Sequence, residues 1–298
     1  MKKRVRVIVI SAVLIFFILL VVLLKLVSKA DFKDKIAVIS VDRAIGASGN
    51  YFDDSSISSD TLIGFIKSAD KNDKIKGVII EINSPGGSVV ASKEVADAVR
   101  NIKKPTVALI KEVGASGAYW VASAADIIVA DPMSVTGSIG VLGSYLEFSK
   151  LFETYGIEYR SVTAGKYKDT GSPYKNLTDD ERQLLQSKLD MIYDFFVTDV
   201  AKNRNMSKEK MFKIADGSVY LGIEAKENGL VDYLGSKETA IEITKKMANI
   251  TEAELVEYRE KKDIIDILMS RISSSAFYYL GKGIGSELVK LNSVKFEA

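Results

Sequence analysis

Short runs of consecutive apolar residues alternate along this chain with segments in which apolar residues recur every three or four positions. Four of the runs are apolar enough to be buried strands: residues 36–41, 77–82, 106–110 and 126–130. Between them, residues 61–69 and 88–102 have helical spacing. Continuous apolar runs are typical of strands that are covered on both faces, and their alternation with helices indicates a mainly parallel sheet. The predicted fold class is therefore α/β, with helices covering the sheet.

A longer helix is predicted from residue 178 onward. Thr178 and Glu181 have the spacing of a capping box, in which the threonine hydroxyl and the glutamate carboxylate close the first turn. Apolar residues then follow one helical face: Leu185, Leu189, Ile192, Phe196 and Val200. We expect this helix to be the longest of the globular part.

The first thirty residues have a different pattern, because residues 7–24 are apolar except for Ser11. At ~1.5 Å per residue, such a helix crosses most of a ~30 Å hydrocarbon layer. The basic residues that precede it favour a cytoplasmic N-terminus: Lys2, Lys3, Arg4 and Arg6. We predict a cytoplasmic segment 1–6 and a transmembrane anchor 7–27 in a single-pass protein of the cell membrane. A cleaved signal peptide is the alternative, and Ser28-Lys29-Ala30 would supply its small residues.

The composition fits one globular domain after the anchor. The chain has 298 residues, of which 47% are hydrophobic and 27% charged, enough for a sizeable core. Its net charge of +2 gives no reason to expect nucleic-acid binding. We assign residues 28–250 to this domain and residues 251–298 to a C-terminal appendage. Two alternatives remain open for the appendage: it lies along an active-site groove as an extended strand, or it is a disordered or membrane-surface tail.

The chain contains no histidine and no cysteine. Triads with a histidine base, dyads with a cysteine nucleophile and the usual zinc sites are therefore excluded. A hydroxyl activated by an amine remains possible, and neither a metal nor an organic cofactor is implied.

Two glycine-rich turns follow predicted strands, at the edge where α/β sheets usually carry their chemistry. The first is Asn83-Ser-Pro-Gly-Gly87, and the second is Gly114-Ala-Ser-Gly-Ala118. The second turn precedes a helical segment, so Ser116 can occupy a strand-to-helix elbow. Taken singly, the first turn can be a plain strand-helix connection, and the small residues of the second can serve close helix-sheet packing.

Four segments together resemble the signal peptide peptidase family of Ser-Lys proteases in order and spacing. They are Asn83–Gly87, Gly114–Trp120, Thr136-Gly-Ser-Ile-Gly140 and Gly165-Lys-Tyr-Lys168. The resemblance spans most of residues 36–235, in the short form that has one copy of the unit. It implies the fold shared by the Clp protease proteolytic subunit and the crotonases, and a ring-shaped, dome-like homo-oligomer.

The resemblance also implies the site residues. Ser116 matches the nucleophile, Lys168 the general base and Ser138 a hydroxyl that positions the lysine amine. The oxyanion donors would be the backbone amides of Gly87 and Gly117. A lysine base must lose its proton, and a pKa shift of ~3 units from ~10.4 requires about 4 kcal/mol of destabilisation of its cation.

Alternatives remain open for two of these residues. Lys166 is the other candidate base. On an extended strand it would share a face with Lys168, while Asp169 would point away. For Ser138, the alternative is a turn hydroxyl that bonds its own backbone.

The function implied is a membrane-anchored serine endopeptidase whose catalytic domain lies outside the cytoplasm. Its partners would be the membrane, other copies of the chain and apolar peptide substrates, including remnant signal peptides. The family also implies that a neighbouring protomer supplies the lysine for each serine. The alternatives are a crotonase-like acyl-CoA enzyme and a non-enzymatic oligomeric membrane assembly protein.

Overall fold

The structure, a computed structural model, describes residues 34–47 and 56–260 of the chain. The strands are β1 (Lys35–Val41), β2 (Ala44–Gly46), β3 (Ser56–Ser58), β4 (Ile75–Ser84), β5 (Thr106–Ala115), β6 (Ile127–Ala130), β7 (Val135–Gly137), β8 (Val219–Leu221), β9 (Tyr233–Leu234) and β10 (Glu254–Tyr258). The helices are α1 (Ser59–Lys71), α2 (Val89–Arg100), α3 (Gly117–Ser123), α4 (Ser149–Thr154), α5 (Asp179–Asn203), α6 (Lys208–Ile214), α7 (Gly222–Glu227) and α8 (Lys237–Ala248).

Eight of the strands form one sheet, whose main path runs β10-β1-β4-β5-β6-β9. All neighbours on this path are parallel. β7 pairs in parallel with the end of β5 and antiparallel with β8. The prediction of a mainly parallel α/β sheet is confirmed.

Helices cover both faces of the sheet, which explains why its strands are continuously apolar. Alternate residues of β1 belong to different cores, because successive side chains point to opposite faces. Ala37 and Ile39 belong to the larger core, to which α1, α2, α3 and α5 contribute. Ile36 and Val38 belong to the smaller core, together with Ala240 of α8.

The predicted strands and helices before residue 131 are confirmed as β1, β4, β5, β6, α1 and α2. The capping box at Thr178 is also present, and α5 is the longest helix of the described residues, with 25 residues. The apolar face of α5 is buried only in its C-terminal half. Phe196 is 2% exposed, whereas Leu185 is 36% exposed.

Residues 141–178 form an arm beside the N-terminal half of α5. The arm contains α4, which has no buried residue, and many of its large apolar side chains face solvent. Leu142 is 87% exposed and Tyr155 74% exposed. Scattered exposed apolar residues are ordinary, but a concentration of them marks an interaction surface.

The sheet extends beyond the predicted domain boundary at residue 250, because β10 pairs with β1 from Lys35↔Glu254 to Ile39↔Tyr258. The predicted anchor 7–27 and residues 261–298 lie outside the described residues. Among residues 34–47 and 56–260, no helix has the length and apolar character needed to cross a bilayer.

Candidate active site

Ser116 lies at a sharp elbow between β5 and α3. Its φ is 54° and its ψ is −125°, a conformation that costs a residue with a side chain about 1–3 kcal/mol. Backbone hydrogen bonds hold the elbow on both sides. The Ser116 N–H donates to the Gly137 carbonyl at 2.8 Å, and the Trp120 N–H donates to the Ser116 carbonyl at 3.0 Å. Ser116 therefore lies at a strand-to-helix elbow, as the sequence predicts.

The glycine turn after β4 packs directly against this elbow. A Cβ on Gly86, whose φ is +124°, would lie 2.9 Å from the Ser116 Cβ. A Cβ on Gly87 would lie 2.1 Å from the Ile45 carbonyl oxygen. These contacts are too short for any side chain, so both positions require glycine. Ile45 also holds the turn, since its N–H donates to the Gly86 carbonyl at 2.8 Å.

The amides of Gly87 and Gly117 meet beside Ser116. A Cβ on Gly117 would lie 3.2 Å from the Gly87 nitrogen, so the two residues are immediate neighbours. Within the part of the chain that the structure describes, neither amide donates a hydrogen bond. The Gly117 amide is also the first of α3, and such amides have no partner inside their helix. Two unpaired N–H groups beside a hydroxyl can stabilise a developing oxyanion.

A cavity of about 170 Å³ opens next to Ser116. Apolar side chains line part of it (Val89, Trp120, Val141, Leu142, Ile192 and Phe196), and polar groups line the rest, with Gly87, Ser92, Ser116, Gly117 and Gly140 also at its wall. A cavity of ~150 Å³ accommodates benzene, so this one has the volume for an aromatic or branched aliphatic side chain.

Ser138 lies close to the elbow through the backbone of β7. Its neighbour Gly137 accepts the Ser116 N–H, and its own N–H donates to the Ser218 carbonyl at 2.7 Å. Ser138 has a φ of 50°, so this backbone is strained like that of Ser116. Its side chain is half-buried and has no hydrogen-bond partner among the described residues.

Lys168 lies elsewhere, in a turn of the arm. The extended strand predicted for residues 166–169 is wrong, because Gly165 and Gly171 have φ of +101° and +80° and bound a turn over this segment. The Lys168 N–H donates to the Gly165 carbonyl at 3.2 Å. The Asp169 carboxylate pairs with Lys175, whose Nζ lies 2.9 Å away and lowers the pKa of Asp169. The negative charge next to Lys168 in the sequence is therefore already compensated by another lysine.

The arm is fastened to the first turn of α5. Lys175 binds Glu181 at 2.7 Å, and Lys166 binds Asp180 at 2.6 Å. The cavity beside Ser116 is bordered by Ile192 and Phe196, further along the same helix. At ~1.5 Å per residue, Glu181 and Phe196 are roughly 22 Å apart along the helix axis. Among the described residues, no hydrogen bond joins Ser116 to Lys168.

The two candidate lysines differ in their charge environment. The Asp180 carboxylate accepts a hydrogen bond from Lys166, and together with Tyr167 it raises the pKa of the Lys166 amine. A raised pKa opposes the loss of the proton that a base must lose. Lys168 is exposed and has no ion pair with any residue in the described ranges.

Sequence reasoning missed the cavity walls. Trp120 was considered only as the end of the segment Gly114–Trp120. It is the single tryptophan of the chain and follows Ser116 by one helical turn, which was the available signal. Phe196 and Ile192 entered only as a helix face. No local signal connects the two segments, because their contact is made across the fold.

Comparison with known proteins gives two family matches. The model of peptidase family S49 matches residues 98–251, and the Clp protease model matches residues 31–131. "Putative signal peptide peptidase SppA" of Enterococcus faecium is 36% identical over 230 residues, which cover 76% of this chain and 67% of that protein. "Serine protease SPPA, chloroplastic" of Arabidopsis thaliana is 34% identical over 253 residues, 82% of this chain and 37% of the longer relative.

A solved structure is also similar, that of a mutant of the 1510-N membrane-bound stomatin-specific protease. Its TM-score is 0.52, its sequence identity is 13%, and the match covers 77% of this chain and 99% of that one. At this identity the likeness concerns the fold alone.

Proposed function

This chain belongs to peptidase family S49 and is a serine protease, and we propose that it is an endopeptidase in which Ser116 is the nucleophile and Lys168 the general base. The resemblance seen in the four sequence segments is confirmed by the family match. That match favours a peptidase over an acyl-CoA enzyme or a non-enzymatic platform. The observation that carries the proposed roles is the strained Ser116 elbow facing the unpaired amides of Gly87 and Gly117.

The proposed reaction needs only side chains and backbone. Ser116 Oγ forms a bond to the peptide carbonyl carbon, and its proton passes to the Lys168 amine. The carbonyl electrons move to the oxygen, which the Gly87 and Gly117 amides stabilise. When the intermediate collapses, the C–N bond breaks and the leaving amine takes the proton from Lys168. Water then hydrolyses the acyl ester by the same route, with Ser138 holding the lysine amine in place.

In this proposal Lys168 serves the Ser116 of a neighbouring copy. Support for this comes from Lys166 and Lys175, the arm lysines on either side of Lys168, which pair with the first turn of α5, whereas the cavity borders Ile192 and Phe196 further along that helix. The exposed apolar side chains of the arm supply a surface for contact with that neighbour. A ring of copies would place each lysine against the next serine, where burial would disfavour the charged form of its amine.

The proposed substrates are apolar peptides, including remnant signal peptides, cleaved outside the cytoplasm. The apolar side chains at the wall of the cavity beside Ser116, among them Trp120, Ile192 and Phe196, suit such substrates. An anchor at residues 7–27 would raise the concentration of the active site over membrane-embedded or newly released segments.

A covalent serine-reactive probe tests the nucleophile. We expect a fluorophosphonate to label the full chain in detergent and to fail on Ser116→Ala. Ser68→Ala is a matched control, since Ser68 lies exposed on α1 and its hydroxyl donates to the Gly64 carbonyl at 2.7 Å. Equal labelling of wild type and Ser116→Ala would refute the assignment.

The pH dependence tests the base. Only a neutral amine accepts the seryl proton, so kcat/KM should rise with pH as the lysine amine loses its proton. A flat profile from neutral to alkaline pH would contradict an amine base.

A further inference from the structure

Trp120 forms one wall of the cavity beside Ser116. It is 2% exposed and stacks on Phe196, with ring centroids 4.4 Å apart and planes at 21°. Phe195 also packs against the indole ring, with ring centroids 6.0 Å apart. Because Trp120 and Phe196 both line the cavity, a shift of the stacked Trp120 ring would change the shape of the cavity.

The carboxylate of Asp199 fixes this ring. Trp120 Nε1 donates to Asp199 Oδ2 at 2.7 Å, and Arg100 Nη2 donates to the same oxygen at 2.6 Å. The three residues come from α3, α5 and α2, so one carboxylate oxygen joins three helices. The Asp199 side chain is 14% exposed, which leaves the carboxylate little contact with water.

A second chain of hydrogen bonds returns to the same helix. Arg100 Nε donates to Asn203 Oδ1 at 3.1 Å, and Asn203 Nδ2 donates to Ser123 Oγ at 3.0 Å. Ser123 Oγ then donates to the Trp120 carbonyl at 2.7 Å. Both the ring and the backbone of Trp120 are thus held from α5, in a closed network whose members are all paired.

Stability alone does not require a carboxylate at this position. A buried tryptophan needs a partner for its N–H, and a neutral acceptor would suffice. Placing a charge here costs desolvation, which a partly buried ion pair offsets only in part. A hydrogen bond to a charged acceptor is shorter and geometrically more specific than one to a neutral acceptor. What the Asp199 carboxylate adds is therefore a more closely defined position for the Trp120 ring.

We propose that Asp199 is a positioning residue that fixes Trp120 as a wall of the Ser116 cavity and thereby selects the substrate side chain beside the cleaved bond. The selected class is an apolar side chain of leucine or phenylalanine size, which a cavity of about 170 Å³ accommodates. This inference rests on the proposed function, because it takes the cavity to be a substrate site.

The test compares Asp199→Leu with Asp194→Leu. Asp194 lies on the same helix and pairs with Lys208 at 2.7 Å, so its replacement removes the same charge from α5 away from Trp120. The substrates are peptidyl coumarylamides with leucine or alanine before the cleaved bond. We expect the leucine-to-alanine ratio of kcat/KM to fall about tenfold in Asp199→Leu and to stay unchanged in Asp194→Leu.

Further variants separate positioning from a merely structural role. Asp199→Asn keeps an acceptor for the indole and should recover most of the ratio. In a Trp120→Phe background, which has no N–H to hold, Asp199→Leu should change the ratio no further. If Asp199→Leu does not fold, Arg100→Met provides the test, because it removes the second hydrogen-bond donor to the Asp199 carboxylate. Arg100→Met should also lower the leucine-to-alanine ratio of kcat/KM. Equal losses for both substrates in these variants would overturn the proposal.

The fluorescence of Trp120 gives a readout that does not depend on activity, since the chain has no other tryptophan. Asp199→Leu should shift the emission to longer wavelength and increase quenching by acrylamide, whereas Asp194→Leu should do neither. Unchanged emission in Asp199→Leu would overturn the proposal even in an inactive preparation. Failure of the fluorophosphonate to label wild-type Ser116 would refute the proposed function instead, so the two failures are distinguishable.

Discussion

The elbow at Ser116 and the arm at residues 141–178 differ in almost every physical respect. Residues around the elbow are buried, and backbone hydrogen bonds to β7 and packing against the Gly86-Gly87 turn fix it. The arm exposes its apolar side chains and is attached by ion pairs to the start of α5. Under the proposed mechanism, the buried elbow is the nucleophile half of the site and the exposed arm is the half that offers the base to a neighbouring copy.

The largest expected effect comes from removing either proposed half of the reaction. Ser116→Ala and Lys168→Ala should each lower kcat/KM by at least about 10⁴-fold, and the double variant should be hardly worse, because nucleophile and base act as one unit. Lys166→Ala is the matched control and should keep substantial activity, since its amine is held as a cation by Asp180. An inactive Lys166→Ala beside an active Lys168→Ala would move the base to Lys166.

Mixing the two inactive variants tests whether the halves come from different copies. A wild-type serine can then face a wild-type lysine, and random assembly in equal amounts should restore about a quarter of the wild-type activity. The measurement is peptidase activity after subunits have exchanged, followed by native mass spectrometry of isotopically labelled chains. If exchange is complete and activity stays absent, serine and lysine act within one chain.

Adding one methyl group, by replacing a glycine with alanine, should have opposite effects at the elbow and on the open surface of α1. Gly87→Ala would place its Cβ 2.1 Å from the Ile45 carbonyl oxygen, so the turn must shift away from Ser116. We expect a loss of about 100-fold in kcat and a clear drop in Tm. Gly64→Ala on α1, where the added Cβ meets nothing within 4 Å, should raise stability by roughly 0.5–1 kcal/mol. A Gly87→Ala protein with normal kcat would show that this amide is not an oxyanion donor.

The smallest effect concerns the attachment of the arm in acid. The hydrogen bond from Lys175, followed by the backbone bond from Thr178, lowers the pKa of Glu181 to about 2. The attachment is therefore fully present above the unfolded value of ~4.3 and is lost as pH falls toward about 2. Limited proteolysis at several pH values should show cleavage within residues 141–178 increasing below pH ~4, before the sheet unfolds. Lys175→Met should be cleaved there already at neutral pH.

Much of the rigid half could be predicted from the sequence. The strands β1, β4, β5 and β6 are continuous apolar runs. Such a run can be recognised within a short stretch of sequence, without knowledge of what it packs against. The Ser116 elbow was also predictable, because small residues between a strand and a helix permit the sharp turn that the elbow requires. The amides of Gly87 and Gly117 followed from the resemblance, and their proximity follows from two parallel strands that end at the same edge.

The other half was less predictable because it depends on contacts between distant segments. Gly165-Lys-Tyr-Lys168 alternates polar and aromatic residues like a strand, yet Gly165 and Gly171 at positive φ turn it back. Asp199 reaches Trp120 across 79 sequence positions, and nothing in either segment indicates the other. Likewise β10 is a short strand with little buried surface, so its place in the sheet is decided by its partner β1.

The pairing of β10 with β1 has a consequence for the synthesis of the molecule. β1, near the beginning of the described chain, pairs with β10, near its end, from Lys35↔Glu254 onward. The pairing can therefore form only after β10 has been synthesised. Until the ribosome has released residue 258, the nascent domain exposes the unpaired backbone of β1, and such edges recruit other strands. Non-local parallel pairings also form slowly. The order of synthesis thus leaves this edge of β1 open to wrong pairing until β10 has been made.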